Sequence, residues 1–496
     1  MGRAAPRPGR RLAATVASSL SPARSTTLRA ASKTARWDDG IPPLLRPLVR
    51  AYLLGYASTV APRLISLLLK HLTRRRHTTT TEGNDPQQPQ PPRHNKEPFL
   101  AALVRILRGG LAWQRFPTFC AAIVGGSTFL AVPLRAIFDR LAGNLSLLAR
   151  QRLSRWLATF IAGYISLLLL QSKPLPPTDN SQPPARLAGR TLDLTLFAFT
   201  RALDATITTV YRRRHPSTTT KSPLTRAVDP LIFALSSSLI MWAWFYHPAR
   251  LPPSYQKWIS SAAAVDPRLI LALRRCRSGT LRYGVVDDTQ AALLGGMCAD
   301  LGLPPAWGDP AVAVPFPCEL VHMGHGGGSC EVHALWRFAH SARWALGTYL
   351  PLTLVLAISR RAGWRGILKA LNSSARSSAF LGAFVALFYY GVCLARTRLG
   401  PRMLGTSVRV RQAIDGGLCV ASGCLLCGWS VLVEKAGRRG DMALFVAPRA
   451  LATLLPRRYA VEKQWRETVV FAASAAVVFT VAMERPGRVR VYNEMR

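Results

Sequence analysis

The sequence predicts an all-α, polytopic integral membrane protein built from two repeated helical units of four to five helices each. Two observations predict it: long uncharged apolar runs, and an internal repeat. Hydrophobic residues make up 49% of the 496 residues, and mean hydropathy is +0.14 although several stretches are wholly polar. The apolar content is therefore concentrated in blocks. Uncharged runs cover Phe116–Leu134, Trp156–Ser172, Pro230–Ala249, Trp344–Ser359, Ser377–Ala395, Gly416–Val433 and the shorter Thr468–Met483. A bilayer core takes roughly 20 apolar residues, the range starting near 17. A large soluble helical core is disfavoured, because soluble helices keep a polar stripe and Ser377–Ala395 has none.

The repeat is read by superposing segments. Phe119–Arg135 lies over Phe380–Arg396 at an offset of 261, and Arg155–Leu170 over Asp415–Ser430 at 260, sharing Gly163 and Gly423. Asp193 through Arg201 returns as Asp441 through Arg449 at 248, and Phe233 through Ser236 as Phe471 through Ser474 at 238. The offsets shrink because the first copy has longer linkers. Duplicated apolar segments are typical of membrane carriers and translocases.

In chain order, residues 1–42 form a basic N-terminal segment. Residues 1–36 hold eight Arg or Lys and no Asp or Glu, a composition that fits either a mitochondrial transit peptide or a basic arm on a membrane. The first membrane unit is expected over 43–276. It opens with Leu45–Lys70, which has Pro62 and Arg63 inside it. The polar segment 73–98 follows as a disordered linker, since it cannot bury enough surface to order itself. Helices are expected at about 99–141, 151–172, 190–211 and 229–247, with loops at Lys173–Pro184 and Pro216–Thr225. Residues 277–316 join the units as a loop with short helices, given their Gly and Pro punctuation. The second unit, 317–496, opens with a Cys/His cluster. Its first helix, Trp336–Ser359, sets Pro351 against Pro62, and helices near 366–397, 406–434, 440–455 and 465–484 follow.

One helix in each unit is weaker and polar. Asp193, Phe197 and Arg201 recur every four residues along one side, as do Asp441, Phe445 and Arg449. Two readings stand. The residues form a polar seam facing a pathway between the units, or the helix lies flat with its charges among headgroups. Lying flat gives four spans per unit and parallel copies. Spanning gives five and inverted copies. Gly163 and Gly423 sit centrally in matching helices, where small residues permit close packing in lipid.

The net charge of +41, from 65 Lys and Arg against 24 Asp and Glu, excludes an acidic or neutral surface. Arg clusters at 74–76, 150–155, 212–214 and 438–439 sit at the ends of apolar blocks. That placement suits membrane lipids with anionic headgroups. Nucleic-acid binding is disfavoured, because the charges flank spans and do not line one face. The Pro- and Thr-rich loops offer places for protein partners.

The chemistry-bearing cluster is Cys318, His322, His325 and Cys330. It supplies four soft or borderline ligands in 13 residues, and the Gly326–Gly328 triplet lets the chain turn back. Zinc takes Cys2His2 sets. A Cys318–Cys330 disulfide and a plain helix-capping loop are the alternatives. Cys424 and Cys427 form a CxxC within an apolar run, which reads as buried packing. There is no phosphate-binding glycine loop, dinucleotide fingerprint or nucleophile elbow, so no enzyme is expected.

Pro317-Cys318-Glu319, His322, His325 and Cys330, then Tyr349-Leu350-Pro351 and Ala379-Phe380-Leu381, resemble the Cys/His-bearing region of the transmembrane protein 135 family. Leu251-Pro252-Pro253-Ser254-Tyr255 and Lys257-Trp258 resemble its other half. The likeness covers most of residues 45–276 and 317–496, with the cluster opening the second unit here. The helical units are also similar to the four-helix unit of Tim-type inner-membrane translocases. What the resemblance implies is a peroxisomal or mitochondrial membrane protein of lipid and fatty-acid handling and organelle dynamics. It brings no catalytic residues. The expectation is transport or lipid homeostasis; a membrane scaffold without transport activity is the alternative, and a metal-dependent membrane enzyme a third.

Overall fold

The computed structural model describes residues 38, 40–78, 99–172, 187–214, 223–361 and 363–484. The basic segment 1–36, the linker beyond Thr78, most of the two predicted Pro- and Thr-rich loops, and the last 12 residues lie outside them. The described chain is all-α except for one two-residue antiparallel pairing, Leu187 with Ala460 and Ala188 with Tyr459.

The first set of helices is α1 (Arg46–Thr78), α2 (Phe99–Gly110), α3 (Phe116–Leu141), α4 (Leu147–Gln171), α5 (Leu192–Arg214) and α6 (Pro223–Tyr246). The helix expected at 99–141 is thus broken before Phe116, and α1 runs eight residues past Lys70. A small helical domain follows: α7 (Pro253–Ala263), α8 (Pro267–Ser278), α9 (Asp288–Asp300) and α10 (Cys318–Val321). The second set comprises α11 (Cys330–Ser359), α12 (Trp364–Cys393), α13 (Gly400–Leu404), α14 (Val408–Ala413), α15 (Cys419–Cys427), α16 (Ala436–Leu454) and α17 (Gln464–Glu484).

Local chemistry sets several boundaries. Side-chain oxygens of Ser146, Asp266, Asp287 and Ser329 accept from the first free N–H groups of α4, α8, α9 and α11, satisfying donors that the helix cannot. Gly279 closes α8 in the left-handed region at φ +75°. Among the described residues, eight helical segments are long and apolar enough to cross a membrane, four before the small domain and four after it. They include Trp364–Leu404, which runs through a π-helical turn, and Val408–Val433, which kinks at Gly417 (φ +153°) within one. The polar helices α5 and α16 are not among the eight.

Helix directions follow from individual contacts. The small domain sits where α11 begins and α12 ends, because the Ala263 carbonyl accepts from Tyr389 (3.2 Å) and Arg337 (3.5 Å). Part-way along α12, Glu434 accepts from Ser377 at 2.7 Å, and α16 starts there. Helix α16 ends back at the small domain, where Arg250 donates to the Thr453 carbonyl at 3.0 Å. It therefore runs towards the small domain, over about 28 Å at 1.5 Å per residue. Arg457 bonds both the Arg250 carbonyl (2.7 Å) and Asp193 (2.9 Å), so α5 begins at the small-domain end. Glu484 pairs with Arg152 at 2.7 Å, so α17 ends beside the start of α4, at the far end. Leu48 abuts Gly125 and Gly55 abuts Pro117, so α1 runs towards the small-domain end while α11 runs away from it. The two sets point in opposite directions.

The last helix of each set packs with the other set. Helix α6 lies against α15 and α16, and α17 against α4 and α5. The contact is reciprocal at single residues. Phe119 meets Phe471 and Phe380 meets Phe233, both at 5.7 Å between ring centres. These four residues are two pairs matched by the offsets of 261 and 238. The division at 276 and 317 therefore does not divide the packing. A helix buried between two others gains contacts from both, and here each set lends one helix to the other.

Candidate functional site

A cavity of about 620 Å3 lies where α6 and α7 meet α12 and α16. Its wall is mostly apolar and aromatic, including Phe233, Trp244, Phe384 and Phe388, with Tyr255 and Trp258 from α7. Three charged side chains of α16 line it: Arg438, Asp441 and Arg449. Arg438 donates towards Ser373 and Ser377 and stands 3.8 Å from Glu434. Arg449 enters no ion pair among the described residues. Its guanidinium donates to the Phe445 carbonyl at 2.6 Å and lies 3.9 Å from the Phe445 ring centre and 5.4 Å from that of Tyr255. A side chain held on aromatic faces keeps its remaining donors free for an anion.

A second cleft, about 420 Å3, joins Asp193 and Phe197 of α5 to Pro448 and Arg449 of α16 through Tyr255 and Trp258. Arg449 belongs to both spaces. The predicted seam residues therefore divide. Asp441 and Arg449 face the cavity, whereas Asp193 is half exposed and paired with Arg457. Arg201 stacks on Phe197 at 5.2 Å, repeating the Arg449–Phe445 pair at the offset of 248. Gly163 and Gly423 both lie at helix contacts, with different neighbours. A Cβ on Gly163 would stand 3.4 Å from the Ala472 backbone; one on Gly423 would stand 2.7 Å from the Phe388 carbonyl oxygen.

The Cys/His cluster is brought together in part. Donor atoms of Cys318, His322 and Cys330 lie within 4.8 Å of one another. Cys318 and His322 are four apart on the short helix α10 and share its face. His325 departs from the expected set. Gly324 and Gly326, at φ +73° and +82°, turn the chain around it, and its Nδ1 bonds the Met323 carbonyl at 2.8 Å. Its ring stands edge-on to Trp336. A Cβ on Gly326 would stand 2.7 Å from the His333 amide, so only glycine fits this turn. Cys393, from the end of α12, stands in place of His325. Its Sγ is 3.3 Å from His322 Nε2, and Cys330 interacts with both Cys318 and Cys393. Burial holds the His322 imidazole below its usual value, hence neutral, and pushes the Cys318 thiol up to about 11. The sequence placed Cys393 in an apolar run, with no spacing to tie it to residues 63 or more positions earlier.

Beside the cluster is an ion pair that the sequence did not announce. Arg396 grips Asp415 through two bonds of 2.6 and 2.9 Å, with both side chains at most 5% exposed. Tyr283 donates its hydroxyl to Asp415 at 2.5 Å, and Arg396 also bonds the Phe316 carbonyl at 3.1 Å. Burial, then the Asp415 charge, raise the Tyr283 phenol well above its ordinary range, so it stays a donor. Each charged residue lies in a π-helical turn, Leu394–Leu399 or Ile414–Leu418. Such turns widen a helix locally and re-aim side chains. The CxxC pair packs as predicted: Cys424 and Cys427 are buried, and the Cys427 thiol donates to the Cys424 carbonyl at 3.3 Å.

The fold is that of a polytopic all-α protein with helices suited to a membrane and an apolar cavity between its two sets. Comparison with protein-family models, with curated proteins and with solved structures returned no match.

Proposed function

We propose that the protein is an organelle membrane transporter or carrier of amphipathic lipids, with long-chain fatty acids or similar acyl anions as substrate. The observation that carries this reading is the composition of the cavity wall. An apolar, aromatic space of about 620 Å3 with Arg449 and Arg438 on one helix matches an acyl chain ending in an anionic group. Arg449 is the anion ligand in this reading, and Phe384, Phe388 and Trp258 cover the chain. The reciprocal exchange of α6 and α17 and the opposed helix directions support an inverted duplication, an architecture in which substrates bind near the midplane between repeats. The polar helices α5 and α16 are then the ninth and tenth crossings, shielded by their neighbours. Membership of the transmembrane protein 135 family, and a peroxisomal or mitochondrial membrane as its site, belong to the same proposal. A tagged copy imaged with markers for both organelles tests the location.

Reconstituted protein should bind and move a fluorescent fatty acid across proteoliposomes. Arg449→Ala removes a charge-assisted hydrogen bond of about 1.5–3 kcal/mol, which weakens binding by about 10- to 100-fold. Unchanged binding in Arg449→Ala would refute the assignment of the anion site. Absence of movement for every lipid tested would replace a carrier by a scaffold.

A further inference from the structure

We propose that Cys318, His322, Cys330 and Cys393 form a closed four-ligand site for a zinc-class divalent cation that staples the small domain to the ends of two membrane helices. Four observations converge. The donor set is three thiols and one imidazole, the Cys3His combination that tetrahedral zinc accepts. The atoms are already gathered. Three lie within 4.8 Å of one another, and the fourth is 3.3 Å from His322 Nε2. A tetrahedral site with metal–sulfur bonds of about 2.3 Å has ligand-to-ligand edges of about 3.8 Å, so loading draws Cys393 in towards the three donors that already share one space.

The third observation is the anchoring of His322. Its Nδ1 is 2.8 Å from the Gly327 carbonyl, which can only accept, so Nδ1 carries the proton. The Nε2 lone pair is thereby left on the side of Cys393. Metal-bound histidines are commonly held by such an outer hydrogen bond, which fixes tautomer and ring orientation. The parallel His333 ring, 4.2 Å away and buried, clamps the imidazole from one face. The fourth observation is charge. Three thiolates and a divalent cation leave a net −1, and the buried Arg337 guanidinium, against Met323 beside His322, supplies positive charge nearby. Soft thiolates in a tetrahedral set favour zinc over magnesium or calcium, which take oxygen ligands.

The ligands come from three elements. Cys318 and His322 belong to α10 and its cap, Cys330 opens α11, and Cys393 closes α12. No open coordination position remains, so the site is structural, and it ties the loop at 318–330 to the helix pair that supports the cavity.

Metal content of the full-length chain, purified in detergent without chelator from zinc-supplemented cells, tests the proposal. About one zinc per chain is expected. Cys393→Ser should lower occupancy several-fold, whereas His325→Ala should leave it unchanged. The reverse pattern would overturn this ligand set. Because Cys393→Ser could fail to fold, the unmutated protein is also loaded with cobalt. Tetrahedral d–d bands with a thiolate charge-transfer intensity counting three sulfurs support the site; two sulfurs or an octahedral spectrum refute it. Metal-free protein with a Cys318–Cys330 disulfide in non-reducing mass spectrometry would also refute it.

Discussion

Asp415→Ala is expected to destabilise the folded protein by about 3–5 kcal/mol, the usual cost of leaving one member of a buried ion pair without the other. The Arg396 guanidinium would remain buried with only the Phe316 carbonyl as partner, and the Tyr283 hydroxyl would lose its acceptor. The loss falls where α12, α15 and the small domain meet, so it should release that domain as well as loosen the bundle. Thermal unfolding in detergent would show a lowered midpoint, and proteolysis would cut within 277–317 before the membrane helices. The double change Arg396→Met with Asp415→Leu should recover much of the loss, because apolar side chains of similar size need no partner there. Equal destabilisation by the single and double variants would show that the pair contributes through shape and not through charge.

Gly423→Ala is expected to cost about 1–3 kcal/mol, as overpacking of a tight core does, while Gly163→Ala should be nearly neutral. The two glycines match in sequence, yet their neighbours differ. The added carbon on Gly423 meets the Phe388 carbonyl oxygen at 2.7 Å, and backbone cannot move aside without shifting α12. On Gly163 it meets the Ala472 backbone at 3.4 Å, ordinary van der Waals distance. Midpoints for both variants, measured side by side in one detergent, decide it. A similar drop in both would mean that the helix contacts are alike and the geometric difference carries no energy.

Much of the fold was legible in the sequence. Every uncharged run became part of a helix, because an apolar stretch of that length has few other ways to satisfy its backbone. The polar helices were legible too, from the spacing of Asp193, Phe197 and Arg201 and of Asp441, Phe445 and Arg449. Their path was not, since two readings followed from the same residues. Contacts at both ends of α16 then fixed its direction, towards the small domain. The Cys/His cluster was half legible. Local spacing found Cys318, His322 and Cys330, but it also chose His325, which the turn at Gly324 and Gly326 directs to Trp336. Cys393 could not be found, because closeness across 71 residues arises only when α11 and α12 fold back on each other.

By itself, then, the sequence determined which segments are helical and apolar, and which matched residues recur along the chain. Periodicity and run length act locally, so a reader of the chain can see them. Only tertiary structure decided that α6 and α17 change places, that Arg449 faces a cavity, and that Arg396, Asp415 and Tyr283 meet in a dry interior. Those outcomes depend on which helix face meets which neighbour, and that is fixed by the packing of all helices at once.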